Sequence, residues 1–418
     1  MISRTFFYLT FVFLFSTLVY AINEPIMPEG DGTMDAPYIF NRYENFFWLS
    51  ENVDLFDNDS VVYCKQVSDI DASDTQRGYD SETEIYYGWR PITTITSKGS
   101  FVLNYDGQGF SIINPYIGRS SELFIEGIFT RGYFRIKNVF LENVFLERGK
   151  TDYAGCLVGW IISSPEKNSS IENCNVSGTI KMAGGTGLIC GGLIGKSNID
   201  GDAIITISNC CVNVSISSMN SAGFIGEIDC SGQLYINNCS SVSKLHGNSE
   251  YNSAGGLIDN LSANSGLIAI CNSYSDVSIF EGYSNGGGFI NTIYGTTSQS
   301  IIEISNCYST GVFPKNLSQM KPFLQNFTNS CSNNFTIVNC YYNLSTFGKE
   351  DIYAIGKTED EMKYASTYEN WDFENIWDID EGESLPYLKG ELPEPSFYIC
   401  FVFFSIVWLK PHLWLLDD

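Results

Sequence analysis

The sequence predicts an all-β protein: a right-handed parallel β-helix, or β-solenoid, with short helical or irregular caps at both ends. Three observations lead there. The motif Ile-x-Asn-Cys recurs through the middle of the chain, and the asparagines at 138, 173, 209, 238, 272, 306 and 339 are spaced by 35, 36, 29, 34, 34 and 33 residues. A second motif recurs at the same period: a small-residue pair, an apolar pair, then Gly or a polar residue, as in Cys190-Gly191-Gly192-Leu193-Ile194-Gly195. Gly, Asn, Ser and Ile dominate these repeats, whereas helical repeats of similar period need 3.6-residue patterns of Leu, Ala, Glu and Lys.

Stacking explains why such positions recur. Each coil of a solenoid lies about 4.8 Å from the one before it, so every inward position selects one residue type in all coils. Ile and Leu/Phe columns fill the interior. Gly allows corners with positive φ and close backbone approach. Asn tolerates the same corners, and stacked amides can hydrogen-bond along the column. Asn138, Asn173, Asn209, Asn238, Asn272, Asn306 and Asn339 therefore form the expected structural ladder. Cys174, Cys210, Cys239, Cys307 and Cys340 follow those asparagines. Strict alternation would place them outside, but a bend at Asn turns them inward as a column of small apolar residues. Disulfides between coils are the alternative, although parallel Cβ vectors suit that bond poorly. The segment after Asn-Cys alternates like a strand, and each repeat reads as about three short strands.

The remaining elements follow in chain order. Residues 1–21 read as a secretory signal peptide: Arg4, an apolar run from Phe6 to Val19, then Val19-Tyr20-Ala21 as cleavage site. An N-terminal membrane anchor is the alternative. Residues 22–130 form the N-terminal cap and opening turns, with residues 43–52 as a short apolar-faced helix over the first turn. Residues 131–345 carry the repeats. Asp259, Asn291 and Gln325 replace the final Gly in the fourth to sixth copies, which predicts less regular stacking near the end. Residues 346–396 close the array. They hold 14 acidic and 4 basic residues, a capping box at Thr358-Glu359-Asp360-Glu361, and an apolar plug of Trp371, Phe373, Ile376 and Trp377. Residues 397–418 are a hydrophobic tail whose 13-residue apolar run is shorter than a bilayer span. One reading of this tail is membrane attachment, as an anchor or a processed lipid-anchor signal; a misread gene end is the other.

Composition narrows the function. The net charge of −25 argues against nucleic-acid binding, which needs basic surface. Of two histidines His412 lies in the tail, so only His246 remains, and a multi-His zinc site or a Ser-His-Asp triad is hard to build. No cofactor, metal site or catalytic residue is expected; the acidic end reads as a solvated face without EF-hand spacing. Thirteen cysteines in an exported chain favour some disulfides, with at least one thiol left over. Candidate N-glycosylation sites are Asn58, Asn168, Asn213, Asn260, Asn316, Asn326, Asn334 and Asn343.

The ordered motifs resemble the GLUG-motif repeat of large bacterial surface proteins and adhesins. Asp31-Gly32-Thr33, Gly88-Trp89-Arg90-Pro91-Ile92 and Asp106-Gly107-Gln108-Gly109-Phe110 are similar to the opening segment of those proteins. Trp371-Asp372-Phe373, Ile376-Trp377 and Pro386-Tyr387-Leu388 are similar to the closing one. The resemblance spans roughly residues 31–390. It implies a parallel β-helix at a cell surface with a structural or adhesive role, binding surface glycans or host and matrix proteins, and it carries no catalytic residues. A polysaccharide-degrading β-helix enzyme is the alternative. Arg135-Ile136-Lys137 and His246-Gly247 superficially resemble polygalacturonase motifs, but in the wrong order and without a paired-Asp motif. A binding fragment of a peptidase-like surface protein is a third reading, without a nucleophile signature.

Overall fold

A computed structural model describes residues 24–56, 58–77, 79–80, 85–86, 88–118, 125–148, 152–182, 188–247, 252–295, 297–314, 319–329 and 334–390. The leader, the hydrophobic tail, Asn316, Cys331 and Cys400 lie outside them.

The chain winds as a parallel β-solenoid. Each coil has four strands rather than three, for example Tyr153–Gly155, Val158–Ser163, Ser169–Glu172 and Asn175–Met182. The extra strand arises because the small pair before the Leu lets the backbone turn within the motif. A Cβ on Gly155 would sit 2.3 Å from the Val158 carbonyl oxygen, and the equivalent place in the following coils holds only the smallest residues, Gly191, Ala222, Gly255 and Gly287. The strands of the coils pair in parallel with their equivalents one coil away. The registers Ile136↔Ile171↔Ile207↔Ile236↔Ile270↔Ile304↔Ile337 give one unbroken column. Leu157, Leu193, Phe224, Leu257, Phe289 and Phe323 give another, all fully buried. Leu141, Val176 and Val212 stack in the next face. That column then changes to Ser241, Ser275 and Ser309. The Ser275 and Ser309 hydroxyls donate to the Gly288 and Pro322 carbonyls, which satisfies the buried polar groups.

Stacking stays regular to the end, against the expectation from the lost glycines. Ile258 pairs with Ile290 and Ile290 with Leu324 in unbroken register. Asp259 and Asn291 fill the vacated column together, Asn291 Nδ2 donating to Asp259 Oδ1 at 2.9 Å.

The first coil is closed by the helix Tyr43–Glu51, which buries Tyr43, Phe46 and Leu49. Phe46 meets Phe40 at 4.7 Å and Trp89 at 4.9 Å between ring centroids, and Trp89 is fully buried. Such aromatic burial contributes roughly 2–3 kcal/mol per side chain, enough to seal a coil end.

The far end is closed differently from the sequence expectation. The cap is residues 344–357, not the tryptophan plug. Asp351 Oδ2 accepts the Phe323 and Leu324 amides at 3.0 and 3.1 Å, capping backbone that the open end leaves unpaired. Phe347 packs on Phe313, and Ile355–Lys357 adds a strand beside Tyr341–Asn343. The chain then enters the helix Glu359–Met362 through a complete Thr358/Glu361 capping box and turns back along the flank. Trp371, Trp377, Tyr368, Met362 and Leu388 form a second cluster with the outward column Tyr274, Tyr308, Tyr341. Tyr308 donates to the Pro386 carbonyl at 2.7 Å, and Trp371 Nε1 to the Asn339 carbonyl at 3.0 Å. The acidic segment is thus a lateral strap. The stacked tyrosines offer it an apolar strip that an end-on plug would leave in water.

Candidate functional site: the asparagine edge

The seven asparagines share one backbone state, with φ of 54°, 52°, 53°, 54°, 48°, 52° and 52° in chain order. Among residues with a side chain, Asn occupies this region at the least cost. Their amides align along one edge. Asn138 donates to Asp106 Oδ1 (3.0 Å), Asn173 to Asn138 (3.1 Å), Asn209 to Asn173 (3.0 Å) and Asn238 to Asn209 (3.1 Å). Asn306 donates to Asn272 (3.4 Å) and Asn339 to Asn306 (3.3 Å). The rung between Asn238 and Asn272 is missing. Asn272 Nδ2 turns to the Cys271 sulfur at 3.7 Å, and Asn238 Oδ1 is buried without a partner. The cause is the variant motif: Cys271 stands before the corner instead of after it, and its thiol donates to Asn237 Oδ1 at 2.8 Å.

Behind the edge, Cys174, Cys210, Cys239, Cys307 and Cys340 all point inward and are buried. Each thiol donates to the carbonyl two residues back, at 3.1–3.3 Å. Ser273 takes the vacated slot and makes the same bond at 2.9 Å. No disulfide joins any of the eleven cysteines among the described residues. Burial pushes Cys174, Cys210 and Cys307 well above the usual thiol range, so these sulfurs are poor nucleophiles.

A trough runs outside the ladder. One part, of 330 Å³, is lined by Gln108, Gly109, Asn138, Phe140 and Asn173. The adjoining part, of 410 Å³, shares Phe140 and Asn173 and continues past Asn175, Asn209, Cys211 and Asn238. Its far wall is the strap, through Asn375, Ile376, Leu388, Lys389 and Gly390. Lys389 Nζ donates to the Glu374 carbonyl at 3.0 Å. At the base of the ladder, burial alone would raise the Asp106 carboxyl. Bonds from Asn138, the Gln108 amide and Lys137, 3.2 Å away, outweigh it and hold the carboxyl below its ordinary value.

One lysine outside the trough is tightly paired. Lys196 Nζ lies 2.5 Å from Glu227 and 2.9 Å from Asp229, over the Tyr153 ring. Burial would lower this ammonium's pKa, but its two carboxylates raise it. Arg131 stacks on Trp160 at 4.2 Å and Lys196 approaches the same ring at 5.5 Å, so cations flank that indole. The pairing of Lys196 with Glu227 was legible in principle: both follow the repeat glycine, at Gly195 and Gly226, and the register sets them opposite each other.

The polygalacturonase-like residues are not brought together. Arg135 Nε donates to the Asn168 carbonyl, Lys137 pairs with Asp106, and His246 stacks on Phe280 at 4.3 Å on another face. Among the described residues no group of three or more His, Cys, Asp or Glu is placed to hold a metal ion.

The sequons divide by position. Asn58, Asn168, Asn213 and Asn326 are exposed; Asn260 and Asn334 are half-buried. Asn58 Oδ1 accepts the Ser100 amide, and Asn168 Oδ1 the Ile204 amide. Asn343 is corrected: it is 1% exposed and caps the helix Leu344–Phe347, its Oδ1 accepting the Ser345 and Thr346 amides. A glycan would attach at Nδ2, which is buried and donates to Thr310 Oγ1 at 3.3 Å, so the folded coil leaves it no room.

No protein-family model matches the chain. No curated protein matches it either. Among solved structures, the chain is similar to a Bacteroides ovatus protein described as a candidate immunoglobulin A1 protease. The TM-score is 0.52 at 19% identity, over 87% of this chain and 95% of that one. At that identity the likeness is one of fold, and the fold is an all-β parallel solenoid.

Proposed function

We propose that the chain is an extracellular, non-catalytic β-solenoid module that holds surface glycans or host and matrix proteins at a cell surface. The observation that carries this reading is the trough beside the asparagine edge. It has a rigid hydrogen-bonded wall, aromatic and aliphatic patches, and many amides, which is the lining of a binding site. Among the described residues its lining side chains include no Asp or Glu, whereas glycoside hydrolysis needs two carboxyl groups facing each other across the substrate. The GLUG-like motifs, the leader pattern and the acidic surface support an exported role. Attachment through the tail fits the same reading, with N-glycans on exposed Asn168, Asn213 and Asn326. The protease named for the structural neighbour is a different activity, and no nucleophile motif of this chain supports it.

The test is a glycan array and a matrix-protein panel probed with purified protein, with polymer hydrolysis followed in parallel. Retention of a glycan or matrix protein without cleavage supports the reading. Cleavage of any polymer, lost on substitution of an Asp pair, overturns it. Partition of full-length protein and a version ending at Ser396 between membrane and medium tests the tail.

A further inference from the structure

We propose that the trough along the asparagine edge binds a linear, uncharged polysaccharide lying parallel to the solenoid axis. This rests on the binding-module reading and assigns it a site and a ligand class.

The geometry favours an extended polymer. The two parts of the trough share Phe140 and Asn173 and cross successive coils from Gln108 to Asn238, so the path is a line rather than a cup. The chemistry favours hydroxyls. A primary amide has two N–H donors and two acceptor lone pairs. The ladder spends one of each at Asn173 and at Asn209. What remains is an N–H and a lone pair at each rung, repeating at about 4.8 Å. A hydroxyl answers both, as donor and acceptor, and a chain of sugars offers hydroxyls at every unit. Half-buried Phe140 and Ile376 supply apolar surface for sugar ring faces.

Charge selects among polymers. Among the described residues Lys389 is the one charged side chain lining the trough, and the whole chain carries −25. A polyanion meets long-range repulsion with a single local cation to offset it. A polycation finds no carboxylate to pair with among the described residues of the lining. A neutral polymer loses nothing on either count. The site is also organised before binding: one wall is fixed by the ladder, and the other is held by Trp371 and Trp377 against the tyrosine column, which limits the entropy cost of closing on a ligand.

The experiment is calorimetric titration of the full chain with soluble linear mannan and mixed-linkage β-glucan, with heparin and polygalacturonate as charged comparators. Asn175→Trp and Cys211→Trp fill the trough from outward positions that take no part in the ladder. Glu303→Trp is the control, exposed on another face. We expect the wild type and E303W to bind a neutral polymer equally, and N175W and C211W to lose at least about tenfold in affinity. Unchanged far-UV circular dichroism shows that the variants fold. Undiminished binding by both trough variants places the site elsewhere and overturns the assignment while leaving the module reading intact. Binding of charged polymers alone overturns the ligand class. Binding of a matrix protein with no polysaccharide overturns both site and class but keeps the module reading; binding of nothing removes that reading as well.

Discussion

Asn209 separates what the ladder contributes from what the corner contributes. Its Nδ2 donates to Asn173 and its Oδ1 accepts from Asn238, at 3.0 and 3.1 Å, while its φ is 53°. Asn209→Gly keeps the corner and removes both rungs. Each partly exposed amide bond contributes about 1 kcal/mol net, and added chain entropy in the unfolded state costs a further ~0.5 kcal/mol, so the loss is about 2–3 kcal/mol. Asn209→Ala loses the same rungs and forces an L side chain into the left-handed region, for a further cost of about 1–2 kcal/mol. Asn272→Gly is the internal control, because Asn272 accepts one rung and its own amide faces Cys271. It should cost about 1 kcal/mol less than Asn209→Gly. Solenoids open coil by coil, so a single unfolding midpoint is a poor readout. Native-state hydrogen exchange of the strands Ile204–Ser208 and Cys211–Ser218, which flank the corner, reads the local loss. Equal protection in wild type and N209G, or an alanine variant as stable as the glycine one, would refute this division of the energy.

Three further outcomes are expected. Burial raises the Asp259 carboxyl from 3.8 to about 7, against donors from Ser253 and Asn291 and with Glu227 adding repulsion. Since the folded value lies above the unfolded one, its stability contribution is whole below about pH 4 and is lost as pH rises to about 7. Asp259→Asn should therefore match wild type near pH 4 and exceed it by up to about 4 kcal/mol near pH 8 in native-state hydrogen exchange of the strand Ile258–Ala263, and equal stability at both pH values would count against it. Iodoacetamide should label half-exposed Cys211 first and leave Cys174, Cys210 and Cys239 intact until urea unfolds the coils, as read by peptide mass spectrometry. Trp377→Ala removes a fully buried side chain from the strap cluster and should cost about 3–5 kcal/mol there. Limited proteolysis should then cut within residues 363–385 while exchange in Ile204–Ser208 stays slow; simultaneous loss of both would show that strap and solenoid unfold as one.

The periodic part of this architecture was readable because stacking imposes one demand per column. Ile136 through Ile337 and the seven corner asparagines recur for that reason, and Cys174 turns inward because the corner at Asn173 bends the chain. Features that depend on one coil meeting something non-repetitive were not readable. The strap lies on the flank because Tyr274, Tyr308 and Tyr341 stack outward, and those three tyrosines look like ordinary strand residues in the sequence. The missing rung follows from a two-residue displacement of one cysteine, at Cys271. Asn343 has the pattern of a glycan acceptor and the position of a helix cap, and only burial tells them apart. Loss of the repeat glycine at Asp259 signalled irregular stacking, yet the Asp259–Asn291 bond keeps the column in register. The trough was hidden for the same reason as the strap, since one of its walls is the strap itself.

The most direct test follows the ligand rather than the protein. A neutral linear polysaccharide retained by the full chain is eluted with free sugar, and its chain length is measured by size-exclusion chromatography with light scattering. The account predicts capture that N175W abolishes and recovery of the polymer at its original length. Shortened chains, or capture that N175W leaves untouched, would contradict it.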